Sequence, residues 1–213
     1  MTFPVDVQRL IDRVDTEKPN LTALRAIATE HGKDHETAEH LWAQGATNLR
    51  MLSLLIMDLK AIDRGYLERM IADVETAQEQ GQRQVCDWLI AIVIMKKNSL
   101  KSEAMNWRAE RSIIKQRVYW SVNARTIKAE NQELNRQLLE WIEEGLPGAP
   151  ETIQWNMNWC AAQIGIADEG LRGRCIALGE RLGLYKDYPV SRGCTSPYLP
   201  LWIGAVVGKK VSS

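Results

Sequence analysis

The sequence predicts an all-α protein, arranged as a HEAT-like helical-repeat solenoid of antiparallel helix pairs. Apolar residues recur every three or four positions along most of the chain, and no segment alternates apolar and polar residues over a useful length. Short turn motifs separate the helical segments, and the pairs repeat about every 35 to 45 residues, as HEAT-like repeats do. Stacked pairs bury faces that a single pair cannot bury. We expect them to leave a concave, basic surface that carries the function.

The 213 residues are expected to form a single domain. The repeats are predicted over about residues 21–185, and a proline-containing tail follows over about 186–213. Three prolines exclude one long helix in this tail. We expect the tail to lie across the last repeat as a cap.

Capping residues and glycines mark the helices of the first half. They are predicted to begin at Pro19-Asn20, Asp34, Thr47, and Asp63 or Arg64. The segment from Arg83 to Lys96 is apolar nearly all round, which predicts a buried helix that ends at Asn98-Ser99.

Helical patterns resume near Ser102 and continue through the second half. Further helices are predicted over Arg108–Val122, about Glu130–Glu144, about Glu151–Ile164 and about Asp168–Leu182, with a turn over residues 145–150. Trp155 and Trp159 lie four residues apart, and therefore on one face of their helix.

The formal net charge is zero, but the charges are unevenly distributed. Residues 1–80 are acidic, and residues 137–170 contain neither Lys nor Arg, whereas residues 101–136 and the tail from Leu171 are basic. A neutral protein with this asymmetry can present a basic face to a polyanion.

The sequence predicts no metal ion and no cofactor. The four cysteines form no Cys-x-x-Cys pair, and Gly32 interrupts the helix between His31 and His35. The apolar run Leu199–Val207 is too short to span a bilayer, and the N-terminus lacks a signal pattern. We therefore expect a reduced, cytoplasmic protein without a membrane segment.

Two groups of residues are candidates for function. Asp87 lies within an apolar helix, where a carboxylate is costly to bury unless it is paired, for instance with Arg83 one turn earlier, or faces a cleft. The second group is Trp107, Arg108, Arg111 and Lys115, which can lie together on a helix. Cations beside an aromatic ring suit a phosphate backbone, although an ion-paired helix surface has the same pattern.

The order of several motifs resembles the DNA alkylation repair family of HEAT-like DNA glycosylases, the AlkD-like proteins. The motifs are Ala38-Glu39-His40-Leu41-Trp42 with Asn48-Leu49-Arg50, Val85-Cys86-Asp87-Trp88, Trp107 to Ile114, the Trp159 helix, and Gly193 to Tyr198. The resemblance covers about residues 21–202, and the tail is similar to that of a particular branch of these relatives.

The resemblance implies excision of N3- and N7-alkylated purines from duplex DNA. By position, the catalytic carboxylate is Asp87, one aromatic residue is Trp159, and the leading backbone cation is Arg111. The chain departs from the family pattern at Arg83, where the family has a Trp, and at Asn48, where an acidic residue is usual.

Three hypotheses follow for the function. The first is an alkylpurine DNA glycosylase that uses Asp87. The second is a relative that recognises damaged or unusual DNA without excising bases, through cations that include Arg83, Arg108, Arg111 and Lys115. The third is a helical-repeat scaffold for a protein partner, which the acidic first 80 residues would suit.

Overall fold

The computed structural model describes residues 5–14 and 20–211. The described residues are mainly helical and include no strand, as the all-α prediction requires. No helix in these two ranges is long and apolar enough to cross a membrane. The chain divides into two compact units, Met1–Asn106 and Trp107–Ser213.

The first unit is organised around its fourth helix. The helices are α1 (Val5–Arg13), α2 (Leu21–His31), α3 (His35–Ala43), α4 (Thr47–Ile56), α5 (Arg64–Glu75), α6 (Glu79–Trp88) and α7 (Asn98–Ala104), with 3₁₀ turns at Leu59–Ala61 and Ile94–Lys96 and a π-helical turn at Leu89–Val93. Helix α4 packs against α2, α3 and α6. Its side chains Leu49, Leu52 and Leu54 are buried in the core.

Side-chain caps start several helices where the sequence predicts them. Asn20, Asp34 and Asp63 each accept a hydrogen bond from the backbone N–H three residues later. Each bond satisfies a donor that the helix itself leaves unpaired. Gly32 follows the end of α2 with a φ of 84°, which glycine adopts without steric cost. Pro19 lies outside the described residues.

The second unit is organised around its central helix α10. The helices are α8 (Ile113–Thr126), α9 (Gln132–Gly145), α10 (Glu151–Ala167), α11 (Glu169–Leu182) and α12 (Leu199–Val211), with 3₁₀ turns at Trp107–Ala109 and Leu146–Gly148. Helix α10 packs against the other four. A buried hydrogen bond of 2.6 Å from Asn156 Nδ2 to Ser121 Oγ fixes the register of α10 on α8.

The C-terminal tail packs onto the preceding helices. Helix α12 contacts α10 and α11, which agrees with the predicted capping role. The approach to α11 is close, because a Cβ added at Gly179 would lie 2.6 Å from Pro200 Cδ and 2.7 Å from Leu199 Cβ. The absence of a side chain at Gly179 therefore allows α12 to pack there.

One predicted helix boundary is confirmed and another is wrong. The helical segment that contains Arg83 ends at Lys96, and a new helix, α7, begins at Asn98. The helix predicted from Arg108 begins only at Ile113, because Ser112 Oγ accepts a hydrogen bond from the backbone N–H of Lys115 and acts as the N-cap.

Candidate nucleic-acid interface

Asp87 lies on the exposed side of α6, two residues before the helix changes its winding. Val85 and Cys86 are buried, whereas Asp87 is exposed. The prediction of a helix buried all round is therefore wrong at this position, since a carboxylate on the solvent side keeps its hydration. The π-helical turn Leu89–Val93 follows directly after α6. Such turns are rare and frequently occur at functional sites.

Asp87 lacks the tryptophan that the family pattern places one turn earlier on its helix. Arg83, one turn earlier, is half-buried. Trp88 is also half-buried, and the guanidinium carbon of Arg25 lies 5.6 Å from its ring centroid. This is a cation–π contact with α2. Trp88 therefore packs with a cation of its own unit and does not replace the Trp expected at position 83.

Three of the four predicted DNA-binding cations, Arg108, Arg111 and Lys115, do not share one helix face. Arg108 lies in the 3₁₀ turn Trp107–Ala109, Arg111 lies in the loop that follows, and Lys115 lies in the first turn of α8. Their placement on a single helix is wrong because Ser112 caps α8 after both arginines. Arg108 and Arg111 are exposed, whereas only 15% of the Lys115 side chain is exposed.

Trp107 is a core residue of the second unit. Only 2% of its surface is exposed. The Lys115 Nζ lies 5.2 Å from the Trp107 ring centroid and 3.8 Å from the carboxylate of Glu110. Trp107 thus supports a cation, and its ring is too buried for direct contact with DNA.

Exposed arginines of the second unit lie over tryptophan rings. The guanidinium carbon of Arg108 is 4.0 Å from the ring centroid of Trp141, and that of Arg125 is 4.4 Å from the ring centroid of Trp159. Both distances are within the range of cation–π attraction. A guanidinium stacked on a ring keeps donors at its edge, which suit the oxygens of a phosphate.

Arg125 is a candidate site residue that the sequence does not reveal. Trp159 is identified by its motif, but Arg125 is distant from it in sequence and shares no motif with it. The contact exists because α8 packs along α10. It places the Arg125 guanidinium on one face of the Trp159 ring, which is half-buried.

The candidate catalytic residues belong to different units. Asp87 lies in Met1–Asn106 and Trp159 in Trp107–Ser213. Among residues 5–14 and 20–211, no group of three or more His, Cys, Asp or Glu side chains is arranged to hold a metal ion.

The fold is that of the HEAT-like repeat proteins. One solved structure belongs to a new family of proteins related to the HEAT-like repeat DNA glycosylases, with affinity for branched DNA structures. It matches this chain with a TM-score of 0.65 and 18% identity, over 97% of this chain and 88% of that one. At this identity the likeness concerns the fold alone. The concave basic face stays a prediction.

The model of the DNA alkylation repair enzyme family matches residues 19–178. The chain therefore belongs to the DNA alkylation repair enzyme family, which confirms the resemblance carried by its motifs. No curated protein matches the chain.

Proposed function

We propose that this protein binds duplex DNA and hydrolytically releases positively charged N3- or N7-alkylated purines, with Asp87 as the catalytic carboxylate. Membership of the alkylation repair family supports the reaction class. One observation supports the residue: Asp87 is an exposed carboxylate beside a π-helical turn. The affinity of the structural relative for branched DNA supports DNA as the partner.

The proposed reaction needs few protein groups. An alkylated purine already carries a positive charge, so the bond from its nitrogen to the sugar C1′ can break without a general acid, and the electron pair leaves with the base. Positive charge then develops on the sugar, and the Asp87 carboxylate stabilises it. The same carboxylate orients the water whose oxygen adds to C1′ and accepts its proton.

The proposed contacts with the DNA backbone come from the exposed arginines of the second unit. Arg108, Arg111 and Arg125 are exposed and can reach phosphate oxygens. Trp159 holds Arg125 by its ring face, so its proposed role is to orient this cation toward a phosphate of the DNA backbone. Lys115 contributes a more sheltered charge.

The test is release of free base from duplex DNA that carries N7-methylguanine. We expect the native chain to release the base, and Asp87→Asn to slow release by about 100-fold or more, since it removes a charge that stabilises the transition state. Glu36→Gln is the matched control, because Glu36 is an exposed carboxylate on α3 of the same unit. Equal rates for Asp87→Asn and the native chain would refute the role of Asp87.

Binding to DNA without base excision is the second candidate function. Two observations favour it: Arg83 stands where the family pattern has a Trp, and Arg125 covers one face of the Trp159 ring. A cationic base would therefore find fewer free aromatic faces on either unit than the family pattern provides.

This second function predicts salt-sensitive DNA binding by a native chain that releases no base. Neutralising Arg108, Arg111 and Lys115 together should weaken that binding at every salt concentration tested. Unchanged binding by the triple variant would place the contact surface elsewhere.

A further inference from the structure

A cluster of three aromatic rings lies on the surface of the second unit, outside the proposed catalytic residues. Trp155 on α10 contacts Tyr185 and Tyr188, which follow α11, with ring centroids 5.2 and 5.6 Å away. The two tyrosine rings are 5.9 Å apart. The Trp155–Tyr185–Tyr188 rings are called the aromatic cluster below.

The aromatic cluster is open to solvent. Trp155 is 37% exposed and Tyr188 is 47% exposed. The planes of the three ring pairs meet at 77°, 52° and 80°, so no pair is stacked face to face. Large flat rings with this exposure still have surface on which another planar group can stack.

The loop that carries the tyrosines is held in a defined position. Tyr185 has a φ of 62°, which a residue with a side chain adopts only where its surroundings impose it. At the far end of the loop, the buried Asn158 of α10 donates a hydrogen bond of 2.9 Å to the carbonyl oxygen of Pro197. Both ends of the loop therefore contact α10, through Trp155 at Tyr185 and through Asn158 at Pro197, which preorganises the tyrosine rings.

The surroundings of the aromatic cluster are polar and carry positive charge. Every residue over 186–195 is exposed, and this segment has Lys186 and Arg192 against a single acid, Asp187. One turn after Trp155, Trp159 carries Arg125 on its ring. A small exposed apolar patch beside a segment that carries Lys186 and Arg192 fits a nucleobase with its phosphate better than an apolar protein surface, which needs a wider apolar area.

We propose that the aromatic cluster stacks with an unpaired nucleobase, so that this protein prefers DNA with a single-stranded segment over fully paired DNA. The inference rests on the proposed DNA binding and adds a substrate feature to it. Base–aromatic stacking tolerates any sequence, because every base has a flat face. The preference should therefore depend on the presence of a base and not on its identity.

The test compares one duplex with two kinds of single-stranded tail. One tail is six deoxyadenosines, and the other is six abasic nucleotides with the same phosphates but no bases. We expect the native chain to bind the deoxyadenosine tail about tenfold more tightly than the abasic tail, the range that stacking supports. Trp155→Ala and Tyr188→Leu should both lose this preference while keeping their affinity for the plain duplex.

Matched variants separate stacking from folding. Trp155→Phe retains a ring and should keep most of the preference, and Leu201→Ala, at a 57% exposed apolar residue of α12, should keep all of it. Equal binding of the two tails by the native chain would overturn the aromatic cluster as a base platform while leaving duplex binding in place. A preference that survives in Tyr188→Leu and Trp155→Ala would also overturn it. Failure to bind any of the DNAs would instead refute the proposed function.

Discussion

Arg125 shows how an aromatic ring helps to hold a surface charge in place. Arg125 lies in the last turn of α8, and its guanidinium packs on the ring of Trp159 in α10. One guanidinium nitrogen also donates a hydrogen bond of 3.4 Å to the carbonyl oxygen of Ser121. A cation whose side chain is already ordered loses less conformational entropy when it binds a phosphate. Because its side chain is ordered in this way, Arg125 should contribute to DNA binding.

Substitution of Arg125 tests this contribution. If Arg125 contacts one phosphate, Arg125→Gln should reduce the slope of log affinity against log salt concentration by about 0.9. Arg136→Gln is the control, because Arg136 forms ion pairs with Glu133 and Glu140 at 2.6 and 2.8 Å. Binding measured by fluorescence anisotropy over a salt series distinguishes the two variants. An unchanged slope in Arg125→Gln would remove Arg125 from the interface.

Tyr119 gives a prediction for stability at alkaline pH. Burial raises the pKa of Tyr119 to about 12, with a smaller contribution from Cys160. The phenol of the unfolded chain titrates near 10. The stability that Tyr119 contributes is therefore fully present below pH 10 and is lost as the pH rises from 10 to about 12.

Tyr119→Phe removes this titration. The unfolding free energy of the variant should fall less steeply between pH 10 and 12 than that of the native chain, as measured by urea denaturation at each pH. Parallel curves for the two proteins over this range would contradict the raised pKa.

At the scale of single residues, the sequence predicts chemistry that is local and misses chemistry that depends on packing. The caps Asn20, Asp34 and Asp63 could be identified because a cap acts on the residues immediately after it. The burial of Trp107 and the pairing of Arg125 with Trp159 could not, since both depend on which helices pack together.

At the scale of the helices, α12 packs closely on α11 at Gly179, and this contact can be tested directly. A side chain at Gly179 would collide with the backbone-linked atoms Leu199 Cβ and Pro200 Cδ, which cannot move aside easily. Gly173, on the same helix, has no atom within 4 Å of the added Cβ. The two positions therefore share a helix but differ in packing.

The pair Gly179→Ala and Gly173→Ala separates helix propensity from packing. Gly179→Ala should destabilise the protein by about 1–3 kcal/mol through overpacking, less what alanine gains as a helix former. Gly173→Ala should stabilise the protein by up to about 1 kcal/mol, because alanine favours the helix and its Cβ would have no atom within 4 Å. Urea denaturation midpoints provide the measurement. A stabilised Gly179→Ala would show that α12 does not pack on α11 as described.

The winding of the chain after Asp87 illustrates what periodicity cannot predict about an element. Apolar residues from Arg83 to Lys96 indicate a helix, and the segment is helical, but it passes from α6 into a π-helical turn. The same residue types suit both windings, so the change is invisible in composition. It depends on the tertiary environment, including the contacts that α6 makes with α4 and α5.

At the scale of the whole molecule, the fold class was accessible from the sequence because every repeat carries the same helical period. The turn over residues 145–150 and the helix-capping residues indicate how the chain folds back into pairs, and the structural match confirms the HEAT-like fold. The family could also be recognised, because its motifs occur in order along most of the chain. The function of each site residue depends on three-dimensional contacts and is therefore addressed by experiment.

If Asp87 acts only in the chemical step, DNA binding and base release depend on different residues of this protein. The most direct measurement is single-turnover release of N7-methylguanine from duplex DNA, with protein in sufficient excess that all DNA is bound, by the native chain and by Asp87→Asn. We expect Asp87→Asn to bind the DNA as tightly as the native chain and to release almost no base. Release by the bound variant at the native rate, or no release by a native chain that is fully bound, would contradict it.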